Sequence, residues 1–210
     1  GTWSVDTESA EPVEGQFDLG GEGAKEVTLL STDAAGNRST GTGSFTLDFG
    51  TPTVPTLTTT GLTNDATPVL SGTADAGTTV RVSVGGATYE VTADASGTWT
   101  VDTGSTTPVD GALDLSSDGL KAVALSSTDA AGNRSTGAGS FTLDATAPAA
   151  PTLTSAALTN DTTPVLSGTA EAGSTVRVTV GGATYQVTAD ASGTWSVDTE
   201  SAEPVEGQFD

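Results

Sequence analysis

The segment Ser31-Thr32-Asp33-Ala34-Ala35-Gly36-Asn37-Arg38-Ser39-Thr40-Gly41, followed by Ser44-Phe45-Thr46-Leu47-Asp48, returns unchanged from Ser127 to Gly137 and at Ser140-Phe141-Thr142-Leu143-Asp144. The step is 96 residues, and it also carries Leu62-Thr63-Asn64-Asp65 onto Leu158-Thr159-Asn160-Asp161 and Gly97-Thr98-Trp99 onto Gly193-Thr194-Trp195. A tandem repeat constrains a chain more than any composition does, because each copy must reach the same fold. Solenoid repeats run roughly 20 to 50 residues, so a unit of this length should own a core. The 210 residues then divide into the later part of one unit (1–48), a complete unit with its linker (49–144), and the earlier part of a third (145–210). Residues 1–18 and 193–210 are identical while 97–114 differ from both, so two unit types alternate with a true period of 192 residues.

The residues available limit the chemistry. Cysteine and histidine are absent, which removes disulfides, thiolate metal sites and the commonest general base. The net charge of −21 comes from 27 acids against Lys25, Arg38, Arg81, Lys121, Arg134 and Arg177, which are scattered rather than clustered. Nucleic acid and anionic membranes require a basic patch, so neither is an expected partner. No apolar run approaches a membrane span, and because the sequence starts inside a unit, the lack of a signal peptide says nothing about secretion. No enzyme is expected: the carboxylates fall on loops at opposite poles of the unit, with no evident cleft for a glycosidase pair.

Acidic, Gly/Thr/Ala-rich chains can be disordered, but this one alternates. Val80-Arg81-Val82-Ser83-Val84 and Trp99-Thr100-Val101 read as half-buried strands with turn residues between such runs. In the middle unit, strands are expected at Pro55 to Thr58, Val69 to Ala74, Val80 to Val84, Ala87 to Thr92, Thr98 to Asp102, Ala122 to Ser126 and Gly139 to Asp144. A loop is expected from Leu62 to Pro68 and a tight hairpin at Gly85-Gly86. Seven short strands per 96-residue repeat predict an all-β fold of tandem immunoglobulin-like β-sandwich domains. Trp99 shares inward parity with Val101, which makes it a core residue rather than a sugar-stacking platform.

Alternating strand directions sort the loops onto two poles. Asp75, Asp94 and Asp129 should lie where the chain enters the unit. Asn64-Asp65 and the loop holding Asp110, Asp114 and Asp118 should lie where it leaves, beside Asp144 and the proline-stiffened linker Ala145-Thr146-Ala147-Pro148-Ala149-Ala150-Pro151.

The ordered set Asn-Asp-x-Thr-Pro-Val-Leu-Ser-Gly-Thr-Ala, Ala-Gly-x-Thr-Val-Arg-Val, Gly-Thr-Trp and Thr-Asp-Ala-Ala-Gly-Asn before Phe-Thr-Leu-Asp resembles the bacterial immunoglobulin-like extender repeats of large surface adhesins exported by type I secretion. The resemblance covers essentially the whole chain. It implies a secreted stalk on the bacterial cell surface, with neighbouring repeats joined end to end and Ca2+ at the junctions stiffening the rod. It also implies a ligand set: Asp48 and Asp144 before the linkers, Asp33 and Asp129 in the Thr-Asp-Ala-Ala-Gly-Asn loops, and Asp75 and Glu171 after the second strand. Asp129 and Asn133 have a local alternative role, since Asp and Asn shape turns through their own backbone. Asp48 and Asp144 have none, standing before linkers that contain no turn needing an acid.

Other readings compete. An immunoglobulin-like module gripping carbohydrate or protein through its loops is the alternative function, though the loops hold Asp, Ser, Thr, Gly and Ala rather than aromatics. The triplets at Asn37, Asn133 and Asn160 match a glycosylation acceptor pattern that arises often by chance. Lys25 and Lys121 read as solvated rather than isopeptide-forming. Finally, neither terminal segment is expected to close a sandwich alone: residues 1–48 carry the last three strands and 151–210 the first five, so the last segment of one copy should meet the first of another.

Overall fold

The computed structural model describes residues 2, 4–10 and 12–205. Two compact units are present, Gly1–Ala145 and Thr146–Asp210. Every regular element among the described residues is a β-strand.

The first segment contributes one long hairpin, β1 (Gly23–Thr32) and β2 (Arg38–Leu47). The middle repeat follows with β3 (Thr56–Leu57), β4 (Leu62–Thr63), β5 (Val69–Thr73), β6 (Thr79–Val84), β7 (Ala87–Thr92), β8 (Thr98–Asp102), β9 (Gly119–Thr128) and β10 (Arg134–Leu143). They form two sheets, ordered β3-β5-β8 and β4-β10-β9-β6-β7. This is the expected sandwich with one correction: Leu62 and Thr63, read as loop, make a short strand running parallel to the end of β10. Two residues are too few for alternation to register, and Leu62 remains exposed, so no apolar signal marked them.

Inward parity does what the sequence requires of it. Val80, Val82 and Val84 from β6, Tyr89 from β7, Trp99 and Val101 from β8, Val123 and Leu125 from β9, and Phe141 and Leu143 from β10 are all buried in one cluster with Leu70 of β5. Trp99 is 1% exposed and donates its indole N–H to the Thr73 carbonyl (3.3 Å), so its polar atom is satisfied inside the core. Gly72 makes room for it. A Cβ there would lie 1.8 Å from the Thr56 carbonyl and 2.4 Å from the Trp99 ring, which is why Ser-Gly-Thr sits in the middle of a strand. Between β6 and β7, Gly85 and Gly86 both take positive φ (53° and 82°), the requirement of a two-residue type I′ turn.

The second unit builds β11 (Thr152–Leu153), β12 (Val165–Thr169), β13 (Thr175–Val180), β14 (Ala183–Thr188) and β15 (Thr194–Asp198). These form a three-stranded sheet, β11-β12-β15, and a separate hairpin, β13-β14. Trp195 is 4% exposed and packs with Val176 and Ala189, so this segment assembles a small core by itself although its three-stranded sheet and its hairpin stay separate. The first segment departs further. Its third expected strand, the Gly-Thr-Trp strand, is not formed at Thr2, Ser4, Val5 and Asp6, and Trp3 lies outside the described residues.

Candidate functional site

The functional candidates lie where linker meets sandwich. At the upstream end, Asp48 precedes the linker Phe49-Gly50-Thr51-Pro52-Thr53-Val54, and this segment is fastened to the sandwich that follows it. Asn133 donates its side-chain amide to the Asp48 carbonyl (3.1 Å), Ser135 donates its hydroxyl to the Pro52 carbonyl, and Ser127 donates to the Thr53 carbonyl (3.1 Å). Thr53 in turn gives its backbone N–H and its hydroxyl to the two carboxylate oxygens of Asp75 (both 2.7 Å). Those bonds stabilise the carboxylate, hydroxyl first and backbone second, and hold the Asp75 pKa below the ordinary aspartate value.

Asp129 belongs to the turn of the β9-β10 hairpin. Its Oδ1 accepts the backbone N–H of Ala131 and Asn133 (both 2.9 Å), and its Oδ2 accepts the Asn133 side-chain amide (3.0 Å). The same bonds form around Asp33 in β1-β2, from Ala35 (2.9 Å), Asn37 N–H (2.8 Å) and the Asn37 amide (2.7 Å). Both pKa values are lowered, chiefly by the asparagine side chain. The local turn role of these acids is therefore observed, and Asp48, expected to have none, also accepts the backbone N–H of Gly50 at its Oδ1 (3.0 Å). Asn133 does more than shape the turn, since the amide that holds Asp129 also reaches Asp48.

At the downstream end, Asp144 donates its backbone N–H to the Thr63 carbonyl (2.9 Å), which brings it beside Asn64-Asp65 as the alternation of strands requires. Asp65 is occupied with its own turn, accepting from the N–H of Thr67 (2.8 Å). The first amide of the outgoing linker, Ala145 N–H, is held by Asp118 (2.7 Å). The equivalent bond recurs one repeat earlier, from Phe49 N–H to Glu22 (3.1 Å). Sequence reasoning placed Asp118 at this pole but gave neither it nor Glu22 a role. Glu22 and Asp118 both stand 26 residues before a linker acid, but Gly15 and Gly111, Asp18 and Asp114, Leu19 and Leu115, and Gly23 and Gly119 match across the same loop, so the repeat does not single this acid out.

Glu171 differs from its counterpart Asp75. In the second unit the position of Thr53 is taken by Ala149, which has no hydroxyl to offer. Glu171 uses its backbone carbonyl to accept from Ser174 N–H (3.0 Å).

The donors fit calcium in kind, being hard carboxylate and carbonyl oxygens at both ends of a linker. They are not gathered. No group of three acidic side chains that could hold a metal occurs among the described residues, and the carboxylates of Asp75 and Asp129 are engaged by Thr53 and Asn133. Lys25 and Lys121 are half-buried and donate to the Gly21 carbonyl and the Ser117 hydroxyl.

Comparison with protein families matches residues 56–145 and 151–210 to the bacterial Ig-like domain, in the phase of the 96-residue repeat. The chain belongs to the bacterial Ig-like domain family. Solved structures that resemble this Ig-like chain include a calcium-stabilised adhesin with which an Antarctic bacterium reaches out and binds ice (33% identity, 84% of this chain, 48% of that one, TM-score 0.40). A tetra-tandem repeat from the extending region of a large adhesion protein shares 25% identity over 86% of this chain and 50% of that one, with TM-score 0.39. A third is a 1.5-MDa bacterial ice-binding adhesin, studied for its retention at the host cell surface (28% identity, 85% and 63% coverage, TM-score 0.38). The chain thus spans about half to two thirds of the length of these structures, and its family membership rests on the domain match rather than on the superpositions. No curated protein matches it.

Proposed function

We propose that this chain is a stretch of the extender of a large bacterial surface adhesin, secreted and displayed at the cell surface, with a spacing rather than a catalytic or ligand-gripping role. The observation that carries this reading is the fastening of the linker: Asp48, Pro52 and Thr53 are each tied to the sandwich that follows, through Asn133, Ser135, Ser127 and Asp75. A tether meant to swing would leave those carbonyls to water. In the middle sandwich, Asn133 at the start of β10 holds the incoming linker, while the end of β10 leads to Asp144. The chain therefore enters and leaves at opposite ends of a ten-residue strand, roughly 30 Å apart at about 3.3 Å per residue. Units of this kind add length when joined in series.

Calcium belongs to the proposal as the junction ion, with Asp48 and Asp144 before the linkers, Asp33 and Asp129 in the hairpin turns, and Asp75 and Glu171 after the second strand as its ligands. Bound there, the ion would supply positive charge between acids that otherwise repel across a joint in a chain of net charge −21. The hydrogen bonds of Asp75 to Thr53 and of Asp129 to Asn133 must exchange for it, so binding and linker geometry are coupled. Small-angle scattering in calcium and in chelator tests this. The expected result is a longer, stiffer particle in calcium, reduced toward the chelator profile in a variant carrying Asp48→Ala and Asp144→Ala. Superimposable profiles in the two conditions would overturn the calcium part of the reading.

A further inference from the structure

In the middle repeat, the chain from Asp48 to Thr63 runs the length of β10 and in the same direction as β10. Asp48 and Pro52 offer their carbonyls to Asn133 and Ser135 at the start of the strand. Pro55 and Leu57 follow against Gly137 and Gly139. A Cβ at these glycines would lie 2.2 Å from the Pro55 carbonyl oxygen and 2.7 Å from the Leu57 Cβ, so the two missing side chains are what let the segment lie against the backbone of β10. At the far end Gly61 accepts from Thr142 N–H (2.7 Å) and Thr63 from Asp144 N–H (2.9 Å), and Leu62 and Thr63 pair in parallel with Thr142 and Leu143. Both glycines stand at the same places in the other copy of the strand, at Gly41 and Gly43.

We propose that this segment and β10 form a force-bearing clamp, through which tension along the array crosses the sandwich as shear between two parallel stretches of chain. The incoming chain pulls on Asp48 and the outgoing chain on Asp144, and these lie at opposite ends of the pair. The segment is therefore dragged toward the start of β10 while β10 is dragged toward its own end. Every contact between them is displaced along the strands at once, so the bonds at Pro52, Gly61 and Thr63 are given up together. Thr53 lies within the segment and is tied to Asp75 and Ser127, so sliding breaks those bonds as well. A pull that entered at one end of the pair would part the same bonds one after another.

The clamp deepens the extender reading and rests on it for the direction of pull, since a stalk under tension is drawn along its length. It needs no ion. The bonds that carry the load are made by hydroxyl, amide and carbonyl groups already in place, and all of them belong to one repeat and its incoming linker.

Single-molecule unfolding at constant force, in chelator, tests this. Held by handles at its two ends, the chain shows the middle repeat as a step of roughly 300 Å, from 96 residues at about 3.4 Å each less the folded length. The same repeat is then held through Ala66→Cys and Ala145→Cys, both exposed and at one end of the pair, which peels β4 from β10. Cysteine is absent elsewhere, so these handles attach uniquely. At equal force the peeled repeat should open at least about tenfold faster than the repeat pulled through the chain ends. Thr53→Ala with Ser135→Ala removes two hydroxyl bonds of the clamp and should raise the end-to-end rate about tenfold or more. Thr103→Ala removes the hydroxyl bond to the Pro68 carbonyl (2.9 Å), away from the clamp, and should change that rate less than about twofold, because its contact is still made when the clamp slips. Equal rates from the two attachments would overturn the proposal, as would an effect of Thr103→Ala as large as that of the clamp variant. The two attachments leave the clamp residues unchanged, so their comparison decides even where the clamp variant does not fold. With calcium withheld, failure here leaves the scattering test of the junctions untouched, and superimposable scattering profiles leave the clamp in place.

Discussion

Residues 2–6 and 194–198 carry the same sequence, within an identical stretch of 18 residues; the second copy is a strand, whereas Thr2, Ser4, Val5 and Asp6 are not in one. Just beyond it, both copies fold alike. Asp6 accepts the N–H of Glu8 (3.0 Å) and the hydroxyl of Ser9 (2.7 Å) while its carbonyl takes the N–H of Ala10 (2.9 Å); Asp198 does the same with Glu200 (3.0 Å), Ser201 (2.9 Å) and Ala202 (2.9 Å). The turn is closed by neighbours in sequence and forms in either setting. The strand is closed by β12 through pairs such as Val165 with Asp198, 33 positions apart, and forms where β12 is present. Val197 is accordingly 5% exposed and Val5 63%. The β1-β2 and β9-β10 hairpins teach a related lesson one level up: the ladder, ten residue pairs in each, survives without the sandwich, while the burial of its side chains does not.

The largest expected contrast is between Phe141→Ala and Phe45→Ala. Deleting the buried ring should cost about 3–5 kcal/mol, and deleting the exposed one about 0.5 kcal/mol, in urea unfolding at dilution. Equal costs would show that Phe45 has found a cover in solution.

Backbone protection should separate the hairpins next. Amides of β9, flanked on both sides, are expected to exchange on the order of 100-fold or more slowly than those of β1, because opening β9 requires breaking the core while opening β1 does not. Mass-spectrometric exchange resolved to the two segments would measure it, and indistinguishable rates would break the comparison.

A smaller effect should be shared rather than contrasted. Gly72→Ala and Gly168→Ala each push a Cβ against a carbonyl at 1.8 Å and against the ring of Trp99 or Trp195, so each should destabilise its own unit by about 1–3 kcal/mol. A harmless Gly168→Ala would mean that Trp195 packs loosely in a segment without the full second sheet.

The smallest effect concerns Asp33 and Asp129. Hydrogen bonds to the ionised forms lower both pKa values in the folded chain, so each carboxylate contributes stability that is present at neutral pH and lost as pH falls below the ordinary aspartate range through the depressed value. Asp33 is exposed and Asp129 only half-buried, which keeps the contribution small. Carboxylate titration by NMR should find the same direction of shift at both, since each loop makes its own bonds; a shift at Asp129 alone would mean that the sandwich, through Asn133 and Asp48, sets it.

Much of this was legible in the residues themselves. The repeat phase, the inward parity of Val80, Val82, Val84, Trp99 and Phe141, the glycine pair of the β6-β7 turn and the polar-loop poles follow from periodicity and turn chemistry, and Trp99 in the core follows from its parity with Val101. The short strand at Leu62 and Thr63 was not legible, because only its partner β10 makes it one. Neither were the linker bonds of Thr53 to Asp75 or of Ala145 to Asp118, which join residues 22 and 27 positions apart with no pattern linking them.

The sequence by itself determined whatever closes within a few residues: the Asx turns at Asp6, Asp33, Asp129 and Asp198, the Gly85-Gly86 hairpin, and the alternation that marks one face of each strand as apolar. Only the tertiary structure decided whether that apolar face is covered, whether the Gly-Thr-Trp segment becomes a strand, and which carboxylates reach a linker. The reason is the range of the interactions. A turn needs only its own atoms, whereas a strand leaves half its backbone groups and one face of side chains to be satisfied by residues that the local sequence does not contain.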